Sequence, residues 1–220
     1  MIYHELPLFP LRTVLFPGQA LPLHIFEPRY RQMIADCLRT DRTFGVVLIR
    51  EGEETGEAAV PYEVGTTATI QEVEPLDDGR LNIVTIGQER FRLENYDDGD
   101  RPYLVGRVAP WPWDKDAHTE KTLSRTVQRR LGQYVELFSR LSDTNVKLDL
   151  TTRSPSTLAF LAAIVLQVPP EQKQALLEVP SVGELMQQLD HVLRQENQAL
   201  EIMLASSHLQ GEMEQPFSQN

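Results

Sequence analysis

The side chains that could perform catalysis or bind a metal are few and widely separated in this 220-residue sequence. Its histidines stand at positions 4, 24, 118, 191 and 208, and no two of them have the spacing of a metal site. Cys37 is the only cysteine, which excludes both a disulfide within the chain and a zinc site built from paired cysteines. The sequence therefore predicts no metal site.

The sequence also lacks the glycine-rich loops that bind nucleotides and the motifs that carry nucleophiles. Neither GxxxxGKS/T nor GxGxxG occurs, and GxSxG and HExxH are absent as well. Acidic pairs such as Glu53-Glu54 and Asp77-Asp78 stand beside glycines in predicted loops, where adjacent carboxylates do not converge on one substrate atom. We therefore predict a protein without catalytic residues or cofactors, and a hydrolase that lacks a recognised motif is a weaker alternative.

The charge of the chain argues against nucleic-acid binding. It has 21 basic and 32 acidic residues, a net charge of −11, and a phosphate backbone is repelled by such a balance. Residues 1–114 alone hold 11 basic and 19 acidic side chains. One basic stripe, formed by Lys121, Arg125, Arg129 and Arg130, lies on a predicted helix, and we expect it to be solvated or to dock an acidic partner.

No segment predicts secretion or membrane insertion. Met1–Pro10 (MIYHELPLFP) lacks the basic region and apolar core of a signal peptide. The longest apolar candidate, residues 158–168, is too short to span a bilayer. We therefore predict a cytoplasmic protein that does not bind membranes.

The chain has two segments that differ in proline content and in the spacing of apolar residues, and their elements must position any site. Ten of the 15 prolines lie in residues 1–112, among short β-branched runs such as 44–50 (FGVVLIR) and 80–86 (RLNIVTI), and Gly87 predicts a bulge or corner. This pattern predicts a small barrel-like β domain over residues 1–114, with one helix at 28–39. From residue 115, apolar residues recur every three or four positions, which predicts a helical bundle over 115–208 and a disordered tail over 209–220. The expected fold class is α+β.

The opening of the chain, LPLFPLRTVLFPGQALPLHIFEPRYRQMI, holds more apolar residues than one thin β layer needs. One alternative is that all of them fill the core. The other is that some line an exposed groove for apolar peptide segments, because exposed apolar patches mark binding sites. The candidate binding residues in this stretch are Phe16, His24, Phe26, Arg29 and Tyr30.

Two further candidates, Trp111 and Trp113, lie in the linker APWPWDKD. They can serve as an additional anchor for a bound polypeptide. The alternative is that they form a wedge between the β domain and the helices, because large aromatic side chains often lock two subdomains together.

Several motifs, taken in order, resemble the Lon substrate-binding domain, the N-terminal domain of ATP-dependent Lon proteases. PLFPL, VLFPG and LPLHIFEPRYRQMI resemble its start, YEVGTTATI and DGRLNIVTIGQERFRL its strands, and PSTLAFLAAIVL and KQALLEV its helices. The similarity covers about residues 5–205 and implies a PUA-like β-barrel followed by an α-helical bundle. Because the sequence lacks a nucleotide loop and has no room for ATPase and protease domains, the resemblance implies a stand-alone member.

The resemblance also implies a function in protein recognition. We expect a non-catalytic module that recognises exposed apolar segments of other proteins, as an adaptor or substrate-recognition factor linked to proteolysis or quality control. The expected partners are unfolded or flexible polypeptides, with a protease or chaperone as a further candidate. The alternative is an RNA-binding protein, since PUA-like barrels often bind RNA, although the acidic charge disfavours it.

Overall fold

A computed structural model describes residues 4–54, 59–97, 99–114, 120–142, 148–150 and 154–213. The strands are β1 His4–Leu11, β2 Ala20–Ile25, β3 Thr43–Glu51, β4 Val60–Pro75, β5 Leu81–Asp97 and β6 Val105–Pro110. The helices are α1 Pro28–Leu38, α2 Glu120–Ser142, α3 Pro155–Val165, α4 Pro170–Glu178 and α5 Val182–Met213. The predicted α+β class is confirmed.

The strands form one six-stranded sheet in the order β2-β5-β4-β3-β1-β6. β1 and β3 are parallel, and the other neighbouring pairs are antiparallel. β6 also pairs with β5, so five strands close into a ring while β2 lies outside it, on β5. The sheet is therefore not a regular barrel. The physical reason is the length of β5, whose 17 residues pair with β2 near one end and with β6 near the other.

Gly87 lies beside an irregularity of the sheet, as its sequence context predicted. The register shifts between the pair Thr66↔Arg90 and the pair Ala68↔Gly87. A Cβ atom at Gly87 would clash with the backbone oxygen of Phe16, so this close approach requires glycine. The strand nevertheless continues through Gly87, because pairing with β4 resumes on both sides of the shift.

α1 packs against β1 and β3 and covers part of the core. Pro28 occupies its first turn, where the missing N–H costs nothing. Its buried residues Tyr30, Met33, Ile34 and Cys37 are spaced by three or one, which places them on one face of the helix. They join a buried cluster that also contains Phe9, Leu11, Leu15, Ile25 and Phe44. Much of the apolar opening thus fills the core, but not all of it, since Phe26 is exposed.

Capping and first-turn residues mark the starts of α3 and α4. Ser154 accepts a hydrogen bond from the Thr157 N–H at 3.4 Å, and Pro155 and Pro170 stand in the first turns of α3 and α4. α3 ends at Val165. α5 continues to Met213, so part of the predicted 209–220 tail is helical, and residues 214–220 of that tail lie outside the described part of the chain.

The described residues divide into two compact units. The sheet unit contains the residues up to Asp114 together with Gln167–Val179, and the helical unit contains the remaining described residues. This division differs from the predicted domains at 167–179, because α4 packs against β4 within the sheet unit. The continuous 1–114 and 115–208 domains stay a prediction.

Within the helical unit, α2 packs against α3 and α5. Val127, Leu131 and Tyr134 on its predicted apolar face are buried. Arg130 forms a 2.6 Å ion pair with Asp190 of α5, so it is not a freely solvated member of the basic stripe. The side chain of Lys121, in the same stripe, lies outside the described residues.

Candidate functional site

The exposed end of β2 carries two of the predicted binding residues. Phe26 directly follows the strand, and 51% of its surface is exposed. The ring of His24 lies beside it, with 6.1 Å between the ring centroids and 25° between the ring planes. We call His24 and Phe26 the β2 aromatic pair. Exposed large aromatic side chains that the core has not used provide apolar surface for a partner.

Polar neighbours hold the His24 ring of this pair in place. His24 Nδ1 lies 2.8 Å from Oδ1 of Asn82, its register partner on β5. The Asn82 amide donates to Glu74 at 3.0 Å, which leaves Asn82 Oδ1 to accept a hydrogen bond from His24 Nδ1. Arg80 Nη1 lies 3.3 Å from His24 Nε2. The ring is therefore oriented from both of its nitrogens.

Arg29 is the second residue of α1, and its side chain contacts several residues of the sheet unit. Its Nε donates to Glu27 at 3.1 Å, its Nη2 donates to the Glu54 carbonyl at 2.9 Å, and its guanidinium lies 4.6 Å from the centre of the Tyr30 ring. These contacts fix the side chain within the sheet unit. As a contact for bound polypeptide, Arg29 stays a prediction.

Tyr30 is one of the candidate binding residues, and the structure places it in the core. It is 5% exposed, and its ring centroid lies 4.1 Å from that of Phe9. Burial raises the pKa of its hydroxyl to about 12, although Arg29 opposes the shift. The small cavity beside it, about 60 Å³, is far below the roughly 300 Å³ of a typical ligand pocket. Tyr30 thus supports the fold rather than a binding surface.

Phe16, another of the candidate binding residues, is fully buried. The loop around it is held by a hydrogen bond from its N–H to Gln19 Oε1 at 3.0 Å and by the close approach to Gly87. A side chain without exposed surface cannot contact a ligand in this conformation. We therefore correct this assignment and place Phe16 in the core.

Trp111 and Trp113 surround a buried arginine that the sequence did not single out. The guanidinium carbon of Arg90 lies 3.8 Å from the ring centroid of each tryptophan. The guanidinium carbon of Arg92 lies 4.2 Å from the ring centroid of Trp111. Two aromatic faces against one guanidinium form a strong cation–π arrangement. The contacts of both rings with Arg90 favour a structural role over the predicted anchor for polypeptides.

Arg90 connects this cluster to the end of α4 within the sheet unit. It is 2% exposed and donates to the carbonyl oxygens of Trp111 at 2.7 Å, Leu177 at 2.7 Å and Val179 at 2.5 Å. Burial lowers the pKa of Arg90 to about 10, with a smaller contribution from Arg92. The alternation of apolar and polar residues along β5 does not predict that Arg90 is buried, because Phe91 and Leu93 already account for the apolar face of the strand.

A larger cavity of about 350 Å³ lies beside β5 and β6, and none of the first five candidate binding residues lines it. Charged side chains dominate its lining: Glu5, Asp97, Asp100, Arg101 and Arg107. Sites for apolar segments are lined mainly by apolar and aromatic groups. This cavity therefore fits an apolar polypeptide poorly.

Further features bear on catalysis and membranes. Burial raises the pKa of the Cys37 thiol to about 12, which disfavours the reactive thiolate. Among the described residues, no group of three His, Cys, Asp or Glu side chains could hold a metal ion. None of the helices in the described part of the chain has the length and apolar character needed to cross a bilayer.

Curated relatives are several times longer than this chain. Lon protease 2 of Myxococcus xanthus is 32% identical over 220 residues, covering 94% of this chain and 26% of that protein. Lon protease 1 of Thermus thermophilus is 29% identical over 204 residues, covering 90% of this chain and 25% of that protein. The chain thus spans about a quarter of the length of the curated relatives it matches.

Solved structures share the fold. A Lon N-terminal domain protein from Xanthomonas campestris has a TM-score of 0.62 and 28% identity, covering 84% of this chain and 96% of that chain. The N-terminal domain of Mycobacterium avium complex Lon protease has a TM-score of 0.67 and 18% identity, covering 89% and 98%, and shows the fold alone. Nothing in these similarities supports the RNA-binding alternative.

The family relationship predicted from the motifs is confirmed by a match over most of the chain. The family model described as the ATP-dependent protease La (LON) substrate-binding domain matches residues 5–195. The motifs quoted from the apolar opening through the helices fall within this range. The chain belongs to the LON substrate-binding domain family.

Proposed function

We propose that this chain is a non-enzymatic module that recognises exposed apolar segments of unfolded or flexible polypeptides during proteolysis. In this role it is an adaptor or substrate-recognition factor that acts in the cytoplasm, with a protease or chaperone as its partner. Membership of the substrate-binding domain family supports substrate recognition. The description as a PUA-like barrel followed by a helical bundle belongs to the same proposal and is supported by the partly closed sheet.

The β2 aromatic pair carries this proposal. Phe26 is half exposed, and neighbours on β5 orient His24 beside it. A recogniser of many sequences needs shallow apolar surface, because a deep pocket would demand one shape. A few anchored side chains of a bound segment would give roughly micromolar affinity, about −8 kcal/mol.

The absence of catalysis is part of the proposal and has support from the side chains. Cys37 is 1% exposed, and the described residues hold no group that could bind a metal ion. The family match concerns the substrate-binding domain, and the relatives' remaining three quarters have no counterpart in the matched residues. We do not pursue RNA binding, because residues 1–114 carry 11 basic against 19 acidic side chains.

The test is a binding titration with an unfolded protein. Reduced, carboxymethylated α-lactalbumin carrying a fluorescent label is titrated with the full chain, and anisotropy reports the complex. Phe26→Ala should weaken binding about fivefold or more, the effect of losing roughly 1 kcal/mol of apolar contact. Its stability should change little, since the side chain is half exposed.

Tyr96→Ala is the matched control. Tyr96 is 39% exposed and lies in the same unit, at the opposite end of β5 from the β2 aromatic pair. It should bind the unfolded protein as the unchanged chain does. Equal weakening by both variants would remove Phe26 from the site, and no binding by the unchanged chain would contradict the proposed function itself.

A further inference from the structure

β2 forms an edge of the sheet. In the described part of the chain it pairs with β5 on one side, and no strand pairs with its other side. An edge strand presents backbone N–H and C=O groups that another extended chain can pair with. We therefore ask which residues of β2 direct these groups away from β5, where another chain could form hydrogen bonds with them.

The hydrogen bonds before the strand set that direction. The Gly87 N–H donates to the Gln19 carbonyl at 2.9 Å, and the Gly18 N–H donates to the Gly87 carbonyl at 2.8 Å. Gly18, with φ +80°, and Gln19 therefore oppose Gly87 together as a β-bulge, and its two hydrogen bonds take the place of one hydrogen-bonded pair. Hydrogen-bonded pairs alternate with non-hydrogen-bonded pairs along an antiparallel ladder. In the continuous register that follows, Leu21 and Leu23 turn their backbone groups toward β5.

The intervening residues Ala20, Pro22 and His24 consequently direct their backbone groups away from β5. Ala20 and His24 each offer an N–H and a C=O, and Pro22 offers a C=O alone. The side chains of all three are exposed. This placement also explains how β2 accommodates Pro22, since a proline within a sheet belongs where its missing N–H would face outward.

From this edge we infer that an extended segment of an unfolded polypeptide adds to β2 as a further strand. The inference rests on the proposed function and names how the polypeptide is bound. Main-chain hydrogen bonds do not depend on sequence, which suits the recognition of many substrates. A segment that runs past His24 reaches the exposed Phe26, which favours apolar side chains at that end.

Pro22 favours a different polypeptide over a second copy of this chain. If two copies of β2 paired antiparallel about their centres, each Pro22 carbonyl would face another proline without an N–H to donate. A partner segment without proline supplies that N–H. A single edge proline thus disfavours self-pairing while leaving the outward groups of Ala20 and His24 available.

The test uses the full chain and a short fluorescein-labelled peptide in which Val and Thr alternate. A second peptide carries N-methyl groups on two adjacent central residues, which blocks both of its edges. N-methylation should weaken binding roughly tenfold or more. Pro22→Ala adds an outward N–H to the edge and should tighten binding of the unmethylated peptide about two- to tenfold. Pro110→Ala, at the end of β6 where Pro110 is the register partner of Phe91 on β5, lies away from the β2 edge and should leave it unchanged.

Both effects are required. Equal binding of the two peptides would overturn strand addition, and so would an unchanged affinity of Pro22→Ala, since the peptide would then pair elsewhere. Dimerisation of the unchanged chain that competes with the peptide would assign the edge to a second copy instead. In each case the unfolded protein can still bind through Phe26, so failure here is distinguishable from failure of the proposed function.

Discussion

Replacement of Arg90 by methionine tests how α4 is attached within the sheet unit. The change removes a guanidinium that donates to the carbonyls of Trp111, Leu177 and Val179, and it replaces it with an apolar side chain. Each hydrogen bond from a charged donor contributes roughly 1.5–3 kcal/mol. The lowering of the Arg90 pKa from 12.5 to about 10, mainly by burial, implies that keeping the charge costs roughly 3 kcal/mol.

The net loss of stability expected for Arg90→Met is about 2–5 kcal/mol. Buried acceptors left without donors add to the loss, which is why removal of one partner of a buried polar contact is costly. Trp111 and Trp113 are the only tryptophans of the chain, so their fluorescence during urea unfolding reports this unit directly. Far-UV circular dichroism, recorded on the same samples, follows the helices as well.

Arg92→Met is the matched control. Arg92 stands on the same strand, is exposed, and contacts the Trp111 ring at 4.2 Å. We expect it to lower the free energy of unfolding by less than about 1 kcal/mol. If the two methionine variants unfold within 1 kcal/mol of each other, roughly the uncertainty of the comparison, the buried guanidinium does not hold α4.

Three further outcomes are expected. Phe16→Ala should lower the free energy of unfolding by about 3–5 kcal/mol because Phe16 is fully buried, whereas Phe26→Ala should lower it by less than about 1 kcal/mol; equal losses in urea titrations would contradict their different burial. The pKa of Cys37 is raised by burial to about 12, so the native thiol should resist iodoacetamide at about pH 8 and react after unfolding. The raised pKa of Tyr30, about 12 instead of 10.0, stabilises the fold fully below pH 10 and less as the pH rises to 12. Tyr30→Phe should therefore flatten the fall of melting temperature over that range, and an unchanged slope would show that Tyr30 does not cause it.

Local chemistry made the secondary structure predictable. Pro28 and Pro155 mark helix starts because a first-turn proline sacrifices no hydrogen bond, and Ser154 supplies the cap that α3 needs. Val127, Leu131 and Tyr134 of α2 are spaced for one helical face, and all three are buried. Such signals act between residues a few positions apart, so they can be recognised in the sequence without the tertiary structure.

The candidate site was less predictable, because burial depends on partners distant in the chain. Phe16 and Phe26 lie in the same apolar opening and have the same side chain, yet one is fully buried and the other is 51% exposed. Phe16 is enclosed where its loop approaches Gly87, some 70 residues further on, while Phe26 follows the end of an edge strand. Composition alone could not separate them.

By itself, the sequence determined the α+β class, the helix starts, the acidic charge and the family, since each depends on composition, short-range pattern or ordered motifs. Tertiary structure alone decided that α4 belongs with the sheet and that Arg90 is buried between two tryptophans. It also left one side of β2 unpaired among the described strands. These three outcomes depend on contacts between segments far apart in sequence. Such contacts do not produce a periodic pattern of residue types, so the sequence alone does not predict them.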